Sequence, residues 1–318
     1  MSADEITATV ADVLAGRAQY AVIHGNSWRV RRSLPSGSID VDLSDPPYSS
    51  GGLTRGDRTA STDTKYTQSG HKGRRPDFTG DAMDQRSWMR WCTMWMEEAR
   101  RCANPTTGKL AAFIDWRQSP LMTDAIQAAG WIWRGTATWD KGEGSRPNPG
   151  GFRSQNEFIQ WATVGPLPAP VPGVIILPGC FHFPVRQEDK HHQTGKPTPL
   201  MRELVKLCPR DGVIFDGFAG SGTTAVAAIL EGRRVIAVER SEDYYRVAVA
   251  RCEAAARGEI ITFGGATPKE AKPRQPKRKR AGRAARVESA KQVERSEKHL
   301  ERALAPQLSL FGEVPSVG

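Results

Sequence analysis

Residues 38–52 read SIDVDLSDPPYSSGG, and within them Asp45-Pro46-Pro47-Tyr48 puts a carboxylate and an aromatic ring on a stiff stretch of backbone. Proline fixes its own φ, has no N–H and drives the residue before it toward extended geometry. A carboxylate held this way can accept hydrogen bonds from a substrate amine and assist the loss of its proton. A neighbouring ring can stack on a planar group. A rigid turn would use the same prolines, so a second group has to decide between the two readings. That group is VIFDGFAGSGTT at 213–224, in which Asp216, Gly217, Phe218, Ala219, Gly220, Ser221, Gly222, Thr223 and Thr224 follow an apolar strand and open an Ala-rich helix. Glycines in such a turn let backbone N–H groups come close to a ligand.

Glu239, at the end of the next expected strand, is placed to accept both hydroxyls of a ribose. NAD and S-adenosylmethionine both present a ribose to such an acid. The two-phosphate pattern GxGxxG is not met, because Gly220-Ser221-Gly222 is followed by Thr223, Thr224 and Ala225, and the dinucleotide reading loses ground.

The elements that must carry these groups follow from periodicity. Residues 38–48 read as strand then turn, with Ile39, Val41 and Leu43 on one side; 49–81 read as a long mobile loop. Trp88, Trp91, Cys92, Trp95, Met96 and Ala99 recur at helical spacing over 84–102 and form a core-facing stripe. A strand at 110–114, a helix at 119–129 and aromatic strands at 131–139 and 157–164 come next, the last two separated by a polar loop. A proline-rich connector spans 165–184. Helices at 197–207, 222–231 and 241–256 then alternate with strands at 212–216 and 234–239. This alternation predicts an α/β fold with a doubly wound, mostly parallel Rossmann-like sheet. The division expected is a catalytic domain over 1–264 and a disordered basic tail over 265–318, with one helix at 287–304.

Composition narrows the partners. The chain of 318 residues carries a net charge of +10, but nine basic residues and one acid between Lys269 and Arg286 account for +8 of it. The body is therefore nearly neutral, and any polyanion surface on it must be local. No run of eighteen apolar residues occurs and the first twenty lack the pattern of a signal peptide, so a cytoplasmic protein without membrane contact is expected. Five scattered cysteines, none in a CxxC pair, give no disulfide framework or thiolate metal site; His191 and His192 stand without a second cluster, so no metal is expected.

FAGSGTT at 218–224 together with DPPY at 45–48 closely resembles the S-adenosylmethionine-dependent amino-methyltransferases that modify DNA bases. DPPY precedes the glycine motif, as in the circularly permuted β group of adenine-N6 and cytosine-N4 enzymes of bacteria and phages. His192-Gln193, Lys196-Pro197 and Leu200 resemble the segment that covers the methionine end of the cofactor in that group. The resemblance covers about residues 20–258 and implies S-adenosyl-L-methionine as methyl donor, S-adenosyl-L-homocysteine as product, and a flipped-out base of double-stranded DNA as acceptor. It implies catalysis by Asp45, Pro46, Pro47 and Tyr48, and cofactor binding by residues 216–224, Glu239, Lys196, Pro197 and Asn26. Aspartate at the head of DPPY favours adenine; cytosine-N4 methylation is the alternative. Asn26 stands where the group often has Gly-Asp, and Asp42 interrupts a strand that is usually more apolar, so that one face of it should meet solvent or a buried partner. These departures leave room for a DNA-binding regulator with little turnover.

DNA contacts are expected from the loop 49–81 (Arg55, Arg58, Arg74, Arg75), from 140–155 (Arg146, Arg153) and from 165–192, with Lys277, Arg278, Lys279 and Arg280 tracking phosphates. Near the end, Gln307-Leu308-Ser309-Leu310-Phe311 resembles the pentapeptide by which many bacterial proteins dock on the DNA polymerase sliding clamp, which implies that partner. Relatives of the group are often dimeric, which implies a homodimer whose interface nothing in the sequence marks.

Overall fold

The computed structural model describes residues 3–49, 82–145, 147–169, 174–184 and 195–259. The expected loop 50–81, Arg146, the segment 185–194 and the whole tail with its expected helix and QLSLF peptide lie outside the described residues.

Eight strands form one sheet: β1 (Tyr20–His24), β2 (Val41–Ser44), β3 (Lys109–Ile114), β4 (Ile132–Asp140), β5 (Asn156–Thr163), β6 (Cys180–His182), β7 (Val213–Asp216) and β8 (Arg234–Glu239), in spatial order β1-β8-β7-β2-β3-β5-β4-β6. The five strands from β1 to β3 in that order pair in parallel, β5 runs antiparallel to both β3 and β4, and β6 pairs in parallel with β4. The described helices are α1 (Ala3–Leu14), α2 (Ser27–Ser33), α3 (Gln85–Cys102), α4 (Ser119–Ala128), α5 (Thr198–Leu204), α6 (Thr223–Leu230) and α7 (Glu242–Ala256).

The parallel strands are buried on both faces, as strands sandwiched between helices must be. Leu43, Ala111, Phe113, Ile214, Val235 and Ala237 point to the side covered by α5, α6 and α7. Their neighbours in sequence point the other way. Leu110, Ala112 and Ile114 meet α3 and α4, while Phe215, Ile236 and Val238 meet α1 and α2. The stripe expected on the tryptophan-rich helix is its buried face, with Trp88, Cys92, Trp95, Met96 and Ala99 inside and Trp91 half-buried.

Connectivity makes the functional crevice. From β7 the chain passes through α6 to β8 on one side; from β2 it passes through α3 to β3 on the other. The winding therefore reverses between β7 and β2, and a cleft opens beyond their carboxyl ends. The glycine turn follows β7 and DPPY follows β2. The proline-rich connector is not wholly irregular, because Cys180–His182 forms a short edge strand on β4. A three-residue strand between prolines and a Gly leaves too little periodicity to read.

Candidate active site

Asp45 and Tyr48 leave β2 on a short extended segment whose carbonyl at Pro47 accepts a 2.8 Å bond from Nε1 of the fully buried Trp88. The helix α3 thus fixes the peptide that the prolines stiffen. Asp45 is half-buried and both its oxygens are engaged: Oδ2 by Lys196 Nζ at 2.5 Å, Oδ1 by the Tyr48 hydroxyl at 2.7 Å. Lys196, expected at the cofactor, is placed against Asp45, where it is nearly excluded from solvent.

Glu157, on β5, closes this cluster. Its Oε2 lies 3.4 Å from Lys196 Nζ and 3.3 Å from the Tyr48 hydroxyl, and its Oε1 accepts from Lys141 Nζ at 3.2 Å. Sequence reasoning missed both Glu157 and Lys141. The one available signal was a lone acid near the start of the strand NEFIQWAT, after a polar loop.

Electrostatics follow from burial and pairing. Burial raises the Asp45 carboxyl above its ordinary range, against the pull of Lys196 and with a push from Glu157. Burial also works to raise Glu157, but Lys196 and Lys141 outweigh it and leave Glu157 below its ordinary range. Lys196 is raised because, against desolvation, Asp45 and Glu157 both favour its charge. Burial and the two nearby carboxylates push the Tyr48 phenol well up, so it stays a donor.

The second half of the cleft is the turn 217–222. Gly222 sits at φ +79°, and a Cβ there would lie 2.9 Å from the Cβ of Ala248 on α7. Gly220 is also left-handed, at φ 51°, and its N–H donates to Glu239 Oε2 at 2.7 Å. Glu239 Oε1 accepts from Ser241 N at 2.7 Å, and the Arg240 N–H also bonds this half-buried carboxylate. Asp216, buried at the end of β7, accepts from Phe218 N at 3.0 Å and from the Thr224 hydroxyl; desolvation pushes it up to about 7.

Several residues expected at the cofactor also make contacts within the protein. Ser221 and Thr223 face Arg251, whose buried guanidinium donates to the Ser221 carbonyl at 2.6 Å and to both hydroxyls at 3.1 Å. The Phe218 ring packs edge-on against Trp91 and Trp95 at 5.6 Å each. Asn26 caps α2 by accepting from Trp28 N at 2.9 Å. Asp42 has the buried partner foreseen as one outcome: Arg31 of α2 pairs with it, and Ser44 donates to its other oxygen at 2.7 Å. Arg251 and Arg31 carry no motif that a sequence reader could have used.

Of the expected DNA-contact residues only Arg153 is described; it is exposed and donates to the Ser145 carbonyl at 3.1 Å. At the same sheet edge Trp116 is 62% exposed with the Arg117 guanidinium 5.1 Å from its ring. Among the described residues no cluster of acids, histidines or cysteines is arranged to hold a metal ion, and no helix is long and apolar enough to cross a membrane. Cys92, Cys102, Cys208 and Cys252 are buried and Cys180 is exposed, and all five are free thiols.

A doubly wound sheet with DPPY after β2 and the glycine turn after β7, in permuted order, is the arrangement that the resemblance to β-group amino-methyltransferases implies. Comparison with known proteins agrees: the DNA methylase family model matches residues 180–250. A relative named "Putative methylase YubD", of Escherichia coli (strain K12), is 27% identical over 237 residues, which cover 74% of this chain and 91% of that protein. Among solved structures, the M1.HpyAVI–SAM complex superposes with a TM-score of 0.53 at 17% identity, covering 73% of this chain and 98% of its own. The cytosine-N4-specific PvuII DNA methyltransferase gives a TM-score of 0.54 at 14% identity, covering 73% and 86%. The chain is thus similar to DNA N6/N4 amino-methyltransferases, in sequence over 180–250 and in the fold of the sheet.

Proposed function

We propose that this protein is a DNA adenine-N6 methyltransferase using S-adenosylmethionine. The observation that carries the reading is the adjacency of β2 and β7, which puts Asp45-Pro-Pro-Tyr48 and the glycine turn on opposite lips of one cleft. The groups at the turn suit the cofactor: the Glu239 carboxylate, held at the end of β8 by backbone N–H bonds, has acceptor capacity left for a ribose hydroxyl, and the cramped Gly222 brings the backbone in close. When bound, S-adenosylmethionine supplies an activated methyl group. The M1.HpyAVI structure contains that molecule, which supports the same choice here.

The protein's own task is to prepare the acceptor. An exocyclic amine on adenine is a poor nucleophile because its lone pair is delocalised into the ring. Asp45 and the Pro46 carbonyl accept its two hydrogens, which localises the lone pair on nitrogen and aims it at the methyl group. Tyr48 stacks on the flipped base, and Asp45 assists loss of the proton released as nitrogen becomes alkylated. Extruding the base costs on the order of a few kcal/mol, offset by stacking and backbone contacts. Arg153, with Arg55, Arg58, Arg74 and Arg75 of the segment that follows DPPY in the sequence, supplies those contacts, and the basic tail adds salt-sensitive affinity. Asn26 and Asp42 both have structural duties, so neither supports a fold without turnover.

The alternative within the class is cytosine-N4 methylation, favoured by the likeness of the fold to the PvuII enzyme; the aspartate heading DPPY favours adenine. Transfer of labelled methyl to mixed-sequence duplex DNA tests the reading. Wild-type protein labels the DNA and folded Asp45→Ala does not; equal labelling by both would overturn it. We further propose docking of 307–311 on a sliding clamp, tested by retention on immobilised clamp. Wild type is retained; a Leu310→Ala, Phe311→Ala double variant retained equally would sink the idea.

A further inference from the structure

Both oxygens of Asp45 are engaged by other side chains, yet the proposed chemistry needs one of them for the target amine. The surrounding geometry shows which can be released. Lys196 holds Oδ2 at 2.5 Å from a site that is 94% buried, since its side chain is only 6% exposed, and it is itself held from the other side by Glu157. Tyr48 holds Oδ1, but its hydroxyl has a second acceptor in reach, Glu157 Oε2 at 3.3 Å.

We propose that Glu157 is a positioning residue for methyl transfer: it anchors Lys196 on Asp45 Oδ2 and takes over the Tyr48 hydroxyl when the target amine claims Asp45 Oδ1. This rests on the reading of Asp45 given above. Glu157 touches neither the reacting nitrogen nor the methyl group; it acts through Lys196 and Tyr48. The arrangement keeps Asp45 oriented with one oxygen fixed and one exchangeable, and it keeps a counter-charge beside the carboxylate while the amine loses its proton.

The charged and titratable groups facing this cluster come from every element around it. They are Tyr48 beside β2, Asp115 after β3, Lys141 after β4, Glu157 on β5, Lys196 before α5, and Asp216 at the end of β7. Two of them act on Asp45 with opposite sign: Glu157 raises its carboxyl and Lys196 lowers it. The signs yield a readout that loss of packing alone would not produce.

The experiment is the pH dependence of single-turnover methyl transfer to duplex DNA at saturating cofactor, between about pH 5 and 9, where the acid limb reports ionisation of the essential carboxylate. Glu157→Gln should slow transfer by about 10- to 100-fold through misplacement of Asp45, with cofactor affinity unchanged. Its acid limb should move to lower pH, because a repelling charge has gone. Lys196→Gln should move the acid limb to higher pH, because an attracting charge has gone. Folding of each variant is checked by circular dichroism, and either variant alone reports a direction. If wild type is active and Asp45→Ala is not, but neither substitution moves the acid limb, the role of Glu157 is overturned while the reading of the site stands. If wild type and Asp45→Ala transfer equally, the reading of the site falls and the role of Glu157 with it.

Discussion

Asp42 lies in the most central stretch of the sheet, between β7 and β3, with 2% exposure, and its carboxylate is paired with Arg31, also 2% exposed. The guanidinium is boxed in: its centre stands 4.2 Å above the Phe215 ring and 5.6 Å from Trp95. Asp42→Ala would strand that charge with no water to replace the carboxylate, and would take from the Ser44 hydroxyl its 2.7 Å acceptor. Breaking a buried ion pair from one side costs about 3–5 kcal/mol. At about 2–4 °C per kcal/mol for a domain of this size, the melting temperature should fall by roughly 6–20 °C. Removing both partners is a different perturbation. Arg31→Met with Asp42→Leu replaces the pair by apolar volume and should come within about 1–2 kcal/mol of wild type, because two desolvation costs disappear together. Urea denaturation of the three proteins, each fitted for midpoint and slope, measures both numbers. Asp42→Ala costing under about 1 kcal/mol, or a double variant as unstable as the single one, would refute this account of the strand. Function should follow stability here, since the Arg31 Nη2 also lies 3.0 Å from where a Cβ on Gly217 would stand, beneath the cofactor turn.

Three further outcomes are expected. Gly222→Ala places a Cβ 2.9 Å from that of Ala248 at φ +79°, which should cost roughly 1–3 kcal/mol and weaken cofactor binding, read by equilibrium titration. Trp88→Phe leaves the Pro47 carbonyl without its 2.8 Å donor, so it should destabilise by about 1–3 kcal/mol and lower the methyl-transfer rate more than cofactor affinity. Asp216 has a folded value pushed up to about 7, so its contribution to stability is full below the unfolded carboxyl value and is lost as pH rises through 7. Asp216→Asn, which cannot ionise, should therefore gain about 2–3 kcal/mol of stability relative to wild type between pH 5 and pH 8, by thermal melts of the cofactor-free proteins; an equal difference at both pH values would contradict this.

Much of the fold was readable because its signals are local. Alternation of short apolar strands with helices over 197–256 marked the glycine half, and the stripe on α3 followed from helical spacing alone. The N-terminal α1, β1 and α2 were not read, because β1 is five residues long and takes its place only by pairing with β8, some 215 residues later in the chain. The motif residues were legible as a cleft, but their division of labour was not. Lys196 was read from its neighbours in sequence alone, and its partners Asp45, just after β2, and Glu157, on β5, are distant from it in the chain. Glu157, Arg31 and Arg251 matter through contacts with residues distant in sequence, and nothing adjacent to them announces it.

The central claim is that Asp45 prepares an adenine amine for methylation. Mass spectrometry of nucleosides from duplex DNA treated with the protein and S-adenosylmethionine tests it most directly. The account predicts N6-methyladenine with wild type and its loss with Asp45→Ala. N4-methylcytosine in its place would contradict the choice of base, and no methylated nucleoside from the folded wild type would contradict the account of the site.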